Sequence, residues 1–270
     1  MNLEARVGDG PVPVADRPVE ERGRSYRLRR AASSEDVRRA QRLRFEVFNL
    51  ELREGLAESH QTGLDADAFD EVCDHLMVEE MGSGTVVGTY RVQTGKNAKD
   101  CRGYYSEQEF DFGPFEGFRG EIVELGRACV DAAHRTLSVL SLLWRGIADY
   151  AYEHGARYLV GCSSLTSQDP REGAAMYRQL ASRHLAPPEW RTVPLPAVAC
   201  GLEEAATSGL KVPKLLAAYL TIGARICGPP AIDREFKTID FLTFLDLRAL
   251  PPQVAQKFLG GERTERGRRE

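Results

Sequence analysis

Glu124 and Arg127 stand inside Glu121-Ile-Val-Glu-Leu-Gly-Arg-Ala-Cys-Val130, a stretch otherwise mostly apolar that reads as a buried strand. Burying either charge without a partner costs several kcal/mol, so the fold must gain something by keeping both. Residues three apart point to opposite faces of a regular strand. Gly126 lies between them, and a glycine within a strand often marks a bulge, which would bring both charges onto one face. A carboxylate and a guanidinium so placed suit the wall of an active site. A structural ion pair at a sheet edge is the competing reading.

Further charged residues form smaller constellations. Arg44 and Phe48 are four apart, on one face of a helix. Asp65, Asp67 and Asp70 cluster in a polar loop without the turn glycine of a calcium loop, so they suit a substrate ammonium better than a metal. Arg91 closes the strand segment Gly88-Thr-Tyr-Arg91, a position that is usually surface. The run from Gly223 to Leu242 is dense in glycine, proline and charge between apolar segments, and reads as a complex turn before the last strands. Cys162-Ser163-Ser164 follows a buried strand but lacks a nucleophile elbow and a positioned base, which argues against covalent catalysis. Tyr177 suits either a general acid or a packed helix residue.

These residues need a framework, and the hydrophobic periodicity supplies one. Strands are expected over residues 25–29, 75–79, 86–92, 121–130, 157–161 and within 236–247, with helices over 34–52, 137–154, 172–184 and 215–224. Ser33 caps the first helix and Gly155 ends the second. The order predicts an α/β (α+β) sandwich with a central mixed sheet flanked by helices. Residues 1–24 read as a disordered arm, 25–256 as one domain and 257–270 as a charged tail.

Composition narrows the function. With 36 basic and 40 acidic residues in 270, the chain lacks the basic surplus of a dedicated nucleic-acid binder. Its six cysteines are scattered without metal-ligand spacing, so they read as reduced cytosolic thiols. No signal-peptide core or membrane-spanning run is visible. A cytoplasmic protein is expected, with the inner face of the membrane as a contact surface.

Taken together, Arg44-Phe-Glu-Val-Phe48, Asp74-His-Leu76, Val87-Gly-Thr-Tyr-Arg91, Tyr105-Ser-Glu107, Glu121 to Val130, and Gly228 to Phe241 resemble the bacterial ornithine-lipid-forming N-acyltransferases. These belong to the Gcn5-related N-acyltransferase superfamily. The resemblance covers residues 40 to 248. It implies that fold, and transfer of a 3-hydroxyacyl group from acyl carrier protein to the α-amino group of ornithine, without a resident cofactor. More distantly, Arg44 and Phe48, Asp67 and Asp70, Arg91, and Glu124 with Arg127 match motif residues of acyl-homoserine-lactone synthases. Those synthases carry a tryptophan soon after the phenylalanine, whereas the first tryptophan here is Trp144.

The resemblance also implies roles. Glu124 would be the base, held by Arg127, and main-chain N–H groups near Leu125, Gly126 and Ala128 would face the thioester oxygen. Tyr177 or water would protonate the leaving thiolate. Arg44, Phe48, Asp67, Asp70 and Arg91 would shape the acceptor pocket, and Arg135 would contact the phosphopantetheine phosphate. The segment Asp131-Ala-Ala-His-Arg-Thr136 lacks the glycines of a pyrophosphate loop, which favours a carrier protein over coenzyme A as donor. Other acceptors (lysine, glycine, glutamine), a lactone-synthase-like activity and a non-catalytic carrier-binding role remain alternatives.

Overall fold

The computed structural model describes residues 18–206 and 209–259. The strands are β1 (Val19–Glu21), β2 (Arg24–Arg30), β3 (Asp74–Glu80), β4 (Thr85–Thr94), β5 (Ile122–Val130), β6 (Tyr158–Leu165), β7 (Arg225–Ile226), β8 (Ala231–Asp233) and β9 (Thr238–Asp246). The helices are α1 (Ser34–Arg44), α2 (Ser59–Thr62), α3 (Gly95–Asp100), α4 (Leu137–Glu153), α5 (Pro170–His184), α6 (Lys214–Thr221) and α7 (Pro252–Leu259). The chain divides into two compact units: one runs to Val92 and takes in 127–153, the other comprises 93–126 and the chain from His154 onward.

In the first unit β1 to β4 pair antiparallel in sequence order. β1 lies within the expected arm: Val19 to Glu21 pair with Tyr26 to Arg24, so order begins earlier than composition suggested. The remainder of the arm, residues 1–17, and residues 260–270 of the tail lie outside the described residues. α1 starts where Ser33 Oγ accepts the Asp36 N–H, as the capping pattern predicts. It continues into a π-helical segment, Phe45–Glu51, closed by the Leu52 N–H on the Val47 carbonyl. α4 packs on the sheet through two glycines. A Cβ on Gly88 would meet Val139 and Leu143 of α4, and one on Gly146 would lie 2.8 Å from Leu28. Gly155, at φ +64°, follows the end of α4 as expected.

Charge is buried in this unit as a closed network. Arg44 is fully buried and donates to both Asp70 carboxylate oxygens, Nη1 to Oδ1 at 3.0 Å and Nη2 to Oδ2 at 2.5 Å. Its Nε lies 2.8 Å from Asp65 Oδ1, and Nη2 also reaches the Asp65 carbonyl. Arg91 bridges Asp67 and Asp70 at 2.5 and 2.9 Å. Arg127 meets Asp67 at 2.7 Å and Asp65 at 3.3 Å. Gln41 adds a bond to Asp70, and His75 Nε2 lies 3.3 Å from the Asp70 carbonyl. Burial pushes the Asp67 and Asp70 carboxyls up, but the guanidiniums outweigh it and hold both below the usual range. Removing one member would leave its partner charged and buried, a cost of about 3–5 kcal/mol.

The second unit has mixed pairing. β5 runs parallel to β6, and β9 lies antiparallel to β6, β7 and β8. Strand alternation gives this sheet two different faces. Ile239 and Phe241 join Met176 and Leu180 of α5 and Leu216 and Leu220 of α6 in one core cluster. Tyr158, Val160, Leu242 and Phe244 lie on the other face, under Phe110, Phe112 and Phe115. Phe115 stacks on Phe244 at 5.7 Å. The run after Gly223, expected as a complex turn, holds β7 and β8 as short strands flanking the long β9. Two-residue and three-residue strands show too little alternation to be seen in sequence.

Two outcomes test this architecture. Burial, with Arg44 close by, pushes the His75 imidazole down to about 4. An unfolded histidine titrates near 6.5, so between these values the unfolded chain binds more protons than the folded one and stability rises with pH. The urea midpoint is expected to fall as pH drops from 7 to 4.5, and His75→Gln to flatten that slope. The depressed aspartates act lower, as pH falls further. At Gly161 a Cβ would lie 2.2 Å from the Leu125 carbonyl oxygen, so Gly161→Ala should destabilise by about 1–3 kcal/mol in thermal melts.

Candidate functional site

β5 changes character along its length. Ile122, Val123 and Glu124 pair in register with Tyr158, Leu159 and Val160 of β6, and the ladder ends there. Leu125 to Ala128 are partly exposed between buried neighbours. Three residues past Glu124, Arg127 adopts φ +49°, a left-handed conformation that costs a non-glycine residue roughly 1–2 kcal/mol. The irregularity expected at Gly126 therefore centres on Arg127, whose guanidinium is fixed by Asp65 and Asp67. Gly126 borders open space, since a Cβ there would meet nothing within 4 Å. An open flank at glycine lets a ligand approach the backbone.

Glu124 sits at the last paired position and is 5 % exposed. Its carboxylate accepts the Tyr105 N–H at 2.8 Å, the Ser106 N–H at 2.8 Å and the Ser106 hydroxyl at 2.6 Å. Donors of Tyr105 and Ser106 hold Glu124, and Asp65 and Asp67 engage Arg127. Tyr105 and Ser106 open a short 3-10 turn, Tyr105–Gln108, whose N-terminal N–H groups have no helical acceptor and so are available to an anion.

Ser106 links Glu124 to a wider buried group. The Cys162 thiol donates to Ser106 Oγ at 3.4 Å and to Glu109 Oε2 at 3.6 Å. Ligand atoms of Glu109, Cys162 and Asp240 lie within 4.8 Å of one another, a grouping able to take a cation. Burial first, then the Glu109 and Asp240 charges, push the Cys162 thiol well above its ordinary range.

The other expected site residues fall elsewhere. Arg44, Asp67, Asp70 and Arg91 bind one another in the buried network, with Phe48 buried in the π-helical segment beside them in sequence. Asp67 and Asp70 there each meet two guanidiniums. Arg135 is exposed and committed to Glu51 through two bonds of 2.6 Å, with Nε on the Val130 carbonyl, rather than presented free to a phosphate. Tyr177 packs against the cluster of Met176, Leu180 and Phe241, on the sheet face opposite Cys162 and Asp240, so it belongs to the core rather than to the acid–base group.

Glu109, Cys162 and Asp240 were missed as a site because they are distant in the chain. Asp240 lay within the Gly228 to Phe241 segment and Ser106 within Tyr105-Ser-Glu107, both singled out by resemblance but without a role. Only the register of β6 with β9 shows that Cys162 and Asp240 share a face.

Residues 43–145 match the acetyltransferase (GNAT) domain family. The chain is 32% identical over 249 residues to an L-ornithine N(alpha)-acyltransferase of Agrobacterium fabrum, covering 87% of this chain and 85% of that protein. It is 31% identical to one of Rhodobacter capsulatus, covering 84% and 92%. Among solved structures, FeeM, an N-acyl amino acid synthase from uncultured soil microbes, shares the fold at a TM-score of 0.52 and 12% identity, with 85% of this chain and 95% of FeeM covered. The acyl-homoserine-lactone synthase LasI shares it at 0.50 and 13%, with 87% and 94% covered. The fold is that expected from sequence, and the chain belongs to the L-ornithine Nα-acyltransferase family, an acyltransferase of the GNAT fold.

Proposed function

We propose that this chain acylates the α-amino group of ornithine with a 3-hydroxyacyl group from acyl carrier protein, giving lyso-ornithine lipid. Its family membership over most of the chain carries the reading. The site supports it through one observation: a buried carboxylate, Glu124, placed where β5 leaves β6 and its backbone borders open space.

In this mechanism the ornithine α-ammonium first loses a proton to Glu124, directly or through a water. The neutral amine attacks the thioester carbon, and a carbon–nitrogen bond forms as the carbonyl oxygen gains charge. N–H groups of β5 between Leu125 and Ala128 donate to that oxygen. The carbon–sulfur bond then breaks; the new amide nitrogen gives its second proton to water, and water supplies the proton that the departing pantetheine thiolate takes up. Glu124 returns the amine proton to solvent. The Ser106 hydroxyl and the two main-chain donors fix the carboxylate's orientation throughout.

The carrier protein is favoured as donor by the segment after β5. Residues 131–136 form a 3-10 turn (Ala132–His134) without glycine, and the adjacent Arg135 is engaged by Glu51. Such a segment offers little to a nucleotide pyrophosphate. The protein is proposed to work in the cytoplasm at the membrane's inner face, where a lipid product would partition. No helix among the described residues is long and apolar enough to cross a membrane.

Incubation with ornithine and either 3-hydroxyacyl carrier protein or 3-hydroxyacyl-coenzyme A, followed by mass spectrometry, tests the reading. N-acylornithine is expected with the carrier protein; product with coenzyme A alone would overturn the donor assignment. Glu124→Gln should lower kcat by about 10²–10⁴ with an unchanged melting temperature. Full activity in that variant would remove Glu124 from the mechanism.

A further inference from the structure

We infer that Glu51 selects the acyl donor: by holding Arg135 at the start of α4 it keeps nucleotide-bearing thioesters from binding there and reserves the enzyme for the carrier-bound acyl group. This deepens the donor assignment above and rests on it.

The inference starts from the segment between β5 and α4, which lies within the first unit. The first N–H groups of a helix lack acceptors of their own and carry the positive end of its dipole, so they attract phosphate. α4 begins at Leu137, and Arg135 stands two residues ahead of it. This cation is also close to the reacting strand along the chain: Arg135 Nε donates at 3.1 Å to the carbonyl of Val130, two residues beyond Ala128. A phosphate arriving with the thioester meets a helix start and an arginine together.

In this protein the chain's own groups answer both attractions. Arg135 Nη1 and Nη2 donate to the two carboxylate oxygens of Glu51, each at 2.6 Å. This two-point geometry is the one by which a free guanidinium binds a phosphate. At the helix start the Val139 N–H goes to Thr136 Oγ1 at 3.4 Å. Hydrogen bonds from Thr136 and Ser138 hold the carboxyl of Glu21, in β1, below its usual range. Asp131 accepts the Ala133 N–H at 2.8 Å and adds a third carboxylate. A pyrophosphate there meets an occupied cation and a negative field.

Firm supports hold the pair. Glu51 ends the π-helical segment, which the Leu52 N–H closes on the Val47 carbonyl at 3.0 Å. On the other side Tyr26 Oη lies 3.1 Å from His134 Nδ1, and Arg24 donates to the Ala133 carbonyl at 3.3 Å. The Arg135 and Glu51 side chains are 45 % and 36 % exposed. An ion pair so open to water adds little to stability, so the fold does not depend on it. It is nevertheless accessible to any phosphate that comes with a donor. Carrier-bound pantetheine brings one phosphodiester, whereas coenzyme A brings a pyrophosphate and a further phosphate. The more heavily charged donor is the one turned away.

The test measures kcat/KM for ornithine acylation with one 3-hydroxyacyl group on three donors: carrier protein, coenzyme A and free pantetheine, which has no phosphate. Wild type is compared with Glu51→Ala, Glu51→Gln and the double variant Glu51→Ala, Arg135→Ala, each checked for folding by its melting temperature. Glu51→Ala should raise kcat/KM for the coenzyme A thioester at least about 10-fold through a lower KM, as one released arginine–phosphate contact allows. Glu51→Gln should move the same way, the pantetheine thioester should be unaffected, and the double variant should lose the gain. No gain in the folded single variants would overturn the inference. So would an equal gain with pantetheine, a gain that survives the loss of Arg135, or a wild type that uses coenzyme A as well as the carrier protein. Absence of ornithine acylation by wild type from all three donors would instead strike at the function proposed above.

Discussion

Every charge this fold buries must be met where it lies, and the two units meet that constraint differently. In the first unit three guanidiniums and three carboxylates neutralise one another, tying α1, the loop of Asp65 to Asp70, β4 and the end of β5 together. In the second unit Glu124 is met by main-chain N–H groups and a hydroxyl, which leave its charge intact. The distinction matters for chemistry. Guanidinium partners cancel the charge of a carboxylate, whereas main-chain N–H groups and hydroxyls orient it without cancelling it.

β5 links the two arrangements along a single strand. Its first residues are clamped by pairing to β6, and its Arg127 is fixed in a strained conformation by aspartates. Next to Leu125 lies Gly126, where a Cβ would meet nothing within 4 Å. Main-chain donors held within a strand can be pre-aimed at a developing oxyanion rather than reorganise during the reaction.

Much of this was legible in the amino-acid order. The caps at Ser33 and Gly155, the hairpin of β3 and β4, the helix after β5 and the unusual charges of β5 all follow from local pattern. The partners of those charges do not. Arg44, Asp67, Asp70, Arg91, Glu124 and Arg127 stood out as residues, and the roles expected for them came from the resemblance rather than from spacing. Their true pairings depend on which loops fold back onto β5, and Tyr105 and Asp65 come from parts of the chain with no periodic signal. Tyr177 shows the same limit: helical spacing places it on α5, and only the alternation of β6 and β9 shows which sheet face α5 covers.

The account turns on which amine of ornithine meets Glu124, and the position of the acyl group in the product reports this directly. Ornithine labelled with nitrogen-15 at the α-amine alone can be acylated by the wild-type enzyme and the product examined by proton–nitrogen correlation spectroscopy. Attack by the α-amine beside Glu124 predicts that the labelled nitrogen becomes an amide, coupled to the α-proton. A product whose label remains an amine, with the amide formed on the unlabelled side-chain nitrogen, would contradict it.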